Sequence, residues 1–409
     1  MDGWLVGSDG LRYFSILRSL VFDQDVDLTN EYQVLGVREP VMAMGLPSCP
    51  FAIGMPLLWS PFYLLALALG AGLRALGVAV PGGGYGALEQ AAVLYGTLFY
   101  GGAAWMLARR LGRRGGFVSE RALNLALVTA CWATPAVYYL AAEPSMSHGV
   151  TLFTITLFFA LWFPLPPVRP AGQWFGLGLA AGLVALTRWQ DAIILVIPLA
   201  ELVARTVRRS MTAGAAVKAA AMLGLAFAVV LLPQFAMFQA IYGQALLVPQ
   251  GNDFMDWGHP QWMASLFSTR HGLLTWHPWY LLTLASLVPL ARRADTRALA
   301  WGIAACFALT LYANSASIQW WAGDAFGARR FTGLVPVLGL ALAAGIDAVG
   351  RHGAGARRAV VFVLIALVGW NGLSALQYRL GTVSRDLPLT LREMTIDRLR
   401  LPLDLLRRR

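Results

Sequence analysis

Charge is scarce in this sequence. Asp, Glu, Lys and Arg make up 13% of the residues, about half of the ~25% common in soluble domains. A water-facing surface is hard to build from so few charges, which argues against a soluble globule. Lysine is almost missing: Lys218 is the only one, so the formal net charge of +11 comes from arginine. Cysteine is rare as well. Cys49, Cys131 and Cys306 allow one disulfide at most, which excludes a disulfide scaffold. There is no CxxC and no cysteine cluster, so a thiolate metal site is excluded. The first residues show no basic stretch leading into an apolar one, and no signal peptide is expected. The apolar runs are continuous rather than alternating, which excludes a transmembrane β-barrel.

Apolar residues fill the chain instead. They account for 58% of it, with a mean hydropathy of +0.60. Runs lie near 51–78, 87–108, 122–142, 148–165, 172–187, 190–204, 217–241, 272–290, 298–315, 331–349 and 359–378. A crossing helix needs roughly 20 apolar residues. Only helices and closed barrels satisfy their backbone hydrogen bonds in lipid. The fold class expected is therefore an all-α polytopic membrane protein. The pair 172–187 and 190–204 is short and needs tight packing or tilt to cross.

The arginines sit in short loops between these runs: Arg109, Arg110, Arg113 and Arg114; Arg205, Arg208 and Arg209; Arg292, Arg293 and Arg297; Arg351, Arg357 and Arg358. That is a topology signal, with the basic loops cytoplasmic. It removes the need for a nucleic-acid partner, and none is expected. Placing 109–114 inside puts 205–214, 291–297 and 350–358 inside too. Only Arg329-Arg330 and the tail fall outside this rule. Parity leaves open whether 51–78 crosses. The arginine and alanine bias points to a GC-rich bacterial genome.

The outer loops are the longer and more varied ones. They read Glu143-Pro144-Ser145-Met146-Ser147-His148, then Arg188-Trp189-Gln190-Asp191, then 250–277 with Arg270-His271, and finally Gln319 to Arg330. Four of the five histidines lie in or beside them. Ionisable groups at membrane depth are functional candidates by default. The tryptophans there also suit an interfacial belt.

With these pieces in order, the sequence resembles the GT-C superfamily of polyprenyl-phosphate-sugar-dependent glycosyltransferases. It looks like bacterial members related to protein O-mannosyltransferases and aminoarabinose transferases. The matching pieces run from Ser8-Asp9-Gly10-Leu11-Arg12-Tyr13 to Phe326-Gly327-Ala328-Arg329-Arg330. The resemblance implies a GT-C-like bundle of about ten transmembrane helices. It makes 1–86 a first external loop with juxtamembrane helices, 87–378 the bundle and 379–409 a basic tail. It also favours a non-crossing outer helix at 51–78. The family has a helix before its first external loop. This sequence begins at Met1-Asp2-Gly3-Trp4, already in that loop, so that helix is expected to be missing.

The resemblance implies roles as well. Asp9 matches the family's first-loop carboxylate and becomes the base for the acceptor hydroxyl, with Tyr13 beside it in the substrate site. Read alone, Asp9 is a loop aspartate or a helix N-cap. Glu143 matches a second carboxylate where the next outer loop enters a helix; read alone, it caps that helix. Arg188 takes the place that approaches the donor phosphate. Arg270, His271, Arg329 and Arg330 join it as substrate-binding candidates, since a guanidinium grips phosphate with two parallel bonds. For Arg329 and Arg330, snorkelling to headgroups is the plain alternative. Asp9, Glu143 and His148 could hold a divalent metal, as in some relatives; no other cofactor is expected.

The function implied is inverting transfer of a sugar from a polyprenyl-phosphate donor to an unidentified acceptor hydroxyl. The site would lie on the periplasmic face of a bacterial plasma membrane. The partners are the lipid-linked donor, the acceptor and membrane lipid. Two other readings stay open. One is a transporter or flippase of a lipid-linked saccharide. The other is an O-antigen-ligase-type transferase centred on arginine and histidine.

Overall fold

The computed structural model describes residues 4–407. Met1-Asp2-Gly3 and Arg408-Arg409 lie outside the described residues. Within them the regular elements are α-helices and 3-10 turns, with isolated bridges at Val41–Pro47 and Met255–Ser317. Among the described residues, six helices are long and apolar enough to cross a membrane: Gly54–Ala75, Ala87–Gly115, Ala213–Tyr242, Arg297–Ala316, Arg329–Gly350 and Ala354–Arg379. His148–Trp162, Ala171–Thr187 and Trp279–Arg292 are shorter apolar helices. The chain is a multi-pass membrane protein.

Several expected runs are broken, and each break has a local cause. The run at 122–142 is two helices, Glu120–Trp132 and Ala136–Ala141. Pro135 lies between them and has no amide to donate. Thr134 bridges the gap, its hydroxyl donating to the Ala130 carbonyl (2.7 Å) and accepting from the Ala136 amide (3.2 Å). Asn371 completes it, donating through Nδ2 to the carbonyls of Trp132 and Thr134, both at 2.9 Å. The run at 272–290 breaks likewise at His277-Pro278, between Leu273–Trp276 and Trp279–Arg292. The run at 190–204 opens as a 3-10 turn, Trp189–Leu195, before Val196–Val207.

Gly54–Ala75 is one helix of 22 residues with Pro61 inside it. Its buried positions, Met55, Trp59, Tyr63, Ala66 and Gly70, form one stripe. Leu57, Leu64, Leu65 and Leu69 on the other side are exposed. That second face is apolar, so it suits lipid contact, and the helix has the length of a crossing.

The chain forms two compact units, interleaved in sequence. One gathers Met1–Ala103, Tyr139–Phe158 and Val168–Asn252. Its most extensive helix pair is Ala171–Thr187 against Ala213–Tyr242. Two glycines four residues apart bring these backbones together. A Cβ on Gly178 would overlap the Leu223 carbonyl, and one on Gly182 would come within 2.8 Å of Val230 Cβ. Small residues at this spacing permit close helix approach in lipid, where dispersion replaces hydrophobic drive.

The other unit gathers Ala104–Tyr138, Phe159–Pro167 and Asp253–Arg409. Val335–Gly350 runs through its centre, with every residue from Val335 to Ala344 buried. It packs on Trp279–Arg292, where Gly345 meets Ser286, and on Glu120–Trp132, where Gly339 meets Leu127 and Ala130. The C-terminal stretch is part of this unit. Its helix Ile396–Arg407 buries Arg398, whose Nε donates to Gln377 Oε1 (2.8 Å).

Asn371→Leu should leave two carbonyls unpaired, at ~1–3 kcal/mol each; thermal unfolding in detergent will show the loss, and an unchanged midpoint would refute it. Gly327→Ala should destabilise the second unit too. Gly327 has φ +60° and its added Cβ would overlap His277 Nε2. The backbone contribution alone is ~1–2 kcal/mol, readable in the same melt.

Candidate active site

The segments that carry Asp9 and Glu143 meet through their neighbours. The Gly7 amide donates to Ser145 Oγ (3.3 Å), and Ser145 Oγ donates back to the Gly7 carbonyl (3.0 Å). A Cβ on Gly10 would overlap Ser145. Asp9 stands between Gly7 and Gly10, and Glu143 two residues before Ser145; both are half-buried. Asp9 holds the N-cap position of Gly10–Phe22, with helical backbone angles, yet its side chain makes no cap hydrogen bond. The N-cap therefore explains where Asp9 sits but gives its carboxylate no capping task. Tyr13, one turn on, is buried, its ring edge-on to Phe51 (5.2 Å) and Trp59 (6.4 Å).

Arg188 stands where Ala171–Thr187 ends. Its backbone swings to φ −152°, ψ 120° before the Trp189–Leu195 turn begins. The side chain is 7% exposed. Its Nη1 lies 3.4 Å from His148 Nδ1 and 3.9 Å from Asp191 Oδ2. His148 is buried as well, with its ring 4.4 Å from that of Tyr139. Asp191 Oδ2 accepts no hydrogen bond among the described residues. Burial pushes the Asp191 carboxyl up to about 6, and the nearby Arg188 charge limits that rise. Charges interact strongly in such a place, because little solvent screens them. Both contacts of Arg188 engage one nitrogen, Nη1, so the fork keeps other donors for an acceptor such as phosphate.

The metal expectation meets a difficulty here. No three His, Cys, Asp or Glu side chains form a metal-binding group among the described residues. A guanidinium facing His148 Nδ1 is also the wrong neighbour for a cation. Asp9, Glu143 and His148 do not form such a group as arranged.

The remaining candidates belong to the second unit. The Arg270 guanidinium stacks on Trp321, 3.6 Å from its centroid, and Nη2 donates to Asp386 Oδ2 (3.1 Å). Trp321 Nε1 donates to the other oxygen of Asp386 (2.8 Å). His271, with φ +58°, has Nδ1 2.8 Å from the Trp321 carbonyl, while Nε2 has no partner among the described residues. Burial holds its pKa below the usual histidine value, so the ring is neutral at pH 7. Arg329 begins the turn Arg329–Leu334, and Arg330 Nη1 donates to Asn314 Oδ1 (3.2 Å).

Sequence reasoning assigned no role to Asp191, although its loop stood out. Its signal was a carboxylate three residues after Arg188, between two apolar runs. Asp386 was missed too, being one acidic residue in a stretch read as a basic tail.

No known protein family's profile and no curated protein matches the sequence. Two solved structures are similar in fold. ArnT from Cupriavidus metallidurans bound to undecaprenyl phosphate superposes with a TM-score of 0.50 at 14% identity, over 98% of this chain and 69% of that one. The apo state of the same ArnT gives 0.47 at 15% identity, over 92% and 68%. Similarity to the first, spanning nearly all of this chain, whose described residues form helices, shows that the two share a fold.

Proposed function

We propose that this protein is a membrane glycosyltransferase that moves a sugar from a polyprenyl-phosphate donor to an acceptor hydroxyl, with inversion, on the periplasmic face of a bacterial plasma membrane. The observation that carries the reading is the buried Arg188, set beside His148 and Asp191 in the unit that also pairs the Asp9 and Glu143 segments. The fold relative was crystallised with undecaprenyl phosphate. That molecule is what such a donor becomes once its sugar has left.

The chemistry asks for two things. The acceptor oxygen attacks the anomeric carbon while the bond from that carbon to the phosphate oxygen breaks. The acceptor proton must go to a base, and the phosphate must leave with its added charge stabilised. Asp9 is the base on this reading, a carboxylate at a loop mouth with no capping duty. Arg188 receives the departing phosphate, in surroundings where one preorganised donor is worth ~2.7–4 kcal/mol of barrier. Glu143 lines the same mouth, and Tyr13 supports the helix that carries Asp9. Arg270, His271, Arg329 and Arg330 remain substrate-binding candidates, Arg270 being the least available because Asp386 and Trp321 hold it.

A second reading has one observation in its favour. The close pair His148 and Arg188 suits an O-antigen-ligase-type transferase that works without a carboxylate base.

Transfer assays with polyprenyl-phosphate sugars separate the two. Asp9→Asn should cut turnover by about 10²–10⁴, and Arg188→Ala by about 10²–10³. If Asp9→Asn left transfer intact while Arg188→Ala abolished it, the carboxylate mechanism would be wrong. Asp191 supplies a pH test. Its carboxyl, raised to about 6, gains a proton as pH falls through that value and stops balancing Arg188. Wild-type activity should change near pH 6, and Asp191→Asn should remove that inflection; a profile identical to wild type would exclude the coupling. A raised carboxyl also takes up its proton more readily when folded. From this group alone, stability should therefore rise as pH falls from about 6 towards the ordinary aspartate range.

A further inference from the structure

A groove of 560 Å³ opens in the second unit, where Glu120–Trp132 begins, Val335–Gly350 ends and Ala354–Arg379 begins. Its lining has two characters. Arg121, Arg351 and Arg357 supply three positive charges, and Leu125, Ile346 and Val361 supply an apolar wall. All three arginines are exposed. Arg357 Nη1 makes one contact, to the Gly350 carbonyl at 3.3 Å.

The nearby carboxylates do not cancel this charge. Asp347 lies in the groove and offsets one of the three charges, its oxygens fixed by the Ser119 amide (2.6 Å) and hydroxyl (2.7 Å), so the lining stays net positive. Glu120, just outside, faces Arg113 (2.6 Å) and Arg109 (3.4 Å) instead. Ser119 also caps Glu120–Trp132, its side chain accepting from the Ala122 amide (3.2 Å), so a helix N-terminus adds partial positive charge at the same place.

The position matches the lining. This is the arginine-rich end of the bundle, where the loops 109–114, 291–297 and 350–358 concentrate their charge. One helix wall continues directly into a lipid-facing surface: Phe362, Val363 and Ile365 on Ala354–Arg379 are all exposed and apolar. A free anion would need only the arginines. The charge and the apolar wall together ask for a ligand with an anionic head and a hydrocarbon tail.

We propose that this groove binds an anionic phospholipid. Its phosphodiester rests on Arg121, Arg351 and Arg357, and one acyl chain lies along Leu125, Ile346 and Val361. Basic pockets between transmembrane helices at the cytoplasmic surface hold such headgroups elsewhere. The inference does not rest on the transferase reading, since the groove is built from other residues.

Native mass spectrometry of the full-length protein, exchanged between phosphatidylglycerol and phosphatidylcholine, tests it. Wild type should retain phosphatidylglycerol in preference. Arg121→Gln, Arg351→Gln and Arg357→Gln combined should lose that preference, by about fivefold for each arginine. Val361→Trp keeps the charges but fills the groove, and should also release the lipid. Arg208→Gln with Arg209→Gln, at exposed arginines of the other unit, should change little. The proposal fails if the triple variant or Val361→Trp binds phosphatidylglycerol as tightly as wild type. It fails equally if the control pair weakens binding as much as the triple variant. Glycerol 3-phosphate, which lacks acyl chains, must bind far more weakly; equal retention would reduce the groove to a phosphate site and overturn the lipid assignment.

Discussion

Backbone amides and carbonyls inside hydrocarbon have no water to turn to, so the protein must pair each of them itself. Unbroken helices do this without help from side chains, and six long helices here follow that rule. The informative places are the interruptions. At Ala133-Thr134-Pro135, the missing hydrogen bonds are replaced by Thr134 and by Asn371 from a distant helix. At Arg188, a helix stops in extended backbone and a 3-10 turn takes over. Each interruption leaves polar groups among packed helices. Selected side chains can then do work that a continuous helix would forbid.

Low dielectric surroundings give those side chains their leverage. Arg188, His148 and Asp191 sit almost out of solvent, and their mutual distances are long for hydrogen bonds. Such a cluster is held loosely by its own members and is suited to receive an anion. Arg270 illustrates the opposite case. Stacked on Trp321 and bonded to Asp386, it already has its counter-charge. The two arginines thus differ because Arg270 is held by a well-bonded carboxylate and Arg188 is not. At the basic end, Arg121, Arg351 and Arg357 outnumber Asp347, the carboxylate that lines their groove.

Much of the fold was legible because hydrophobic run length reports helices directly. The runs at 172–187, 298–315 and 359–378 match Ala171–Thr187, Arg297–Ala316 and Ala354–Arg379 closely. The breaks within 122–142 and 272–290 were harder to read. Proline marked them, but whether a proline kinks a helix or ends it depends on what can satisfy the freed carbonyls. Asn371, 237 residues from Thr134, supplies that answer. Asp9 could be read as an N-cap or a catalytic carboxylate. Position agrees with the first, while the absence of a cap bond removes the reason for it.

The sequence by itself determined that this chain lives in a bilayer and that its apolar runs are helices. Composition and spacing are sufficient for that, because lipid imposes the same solvation rule on every segment. Only the tertiary structure decided which charges are balanced. Asp386, which pairs with Arg270, is 116 positions from it. Pairing across such separations depends on how helices pack, through contacts such as Gly10 on Ser145 and Gly178 on Leu223. Close packing is a property of two surfaces together, and neither stretch of sequence carries it alone.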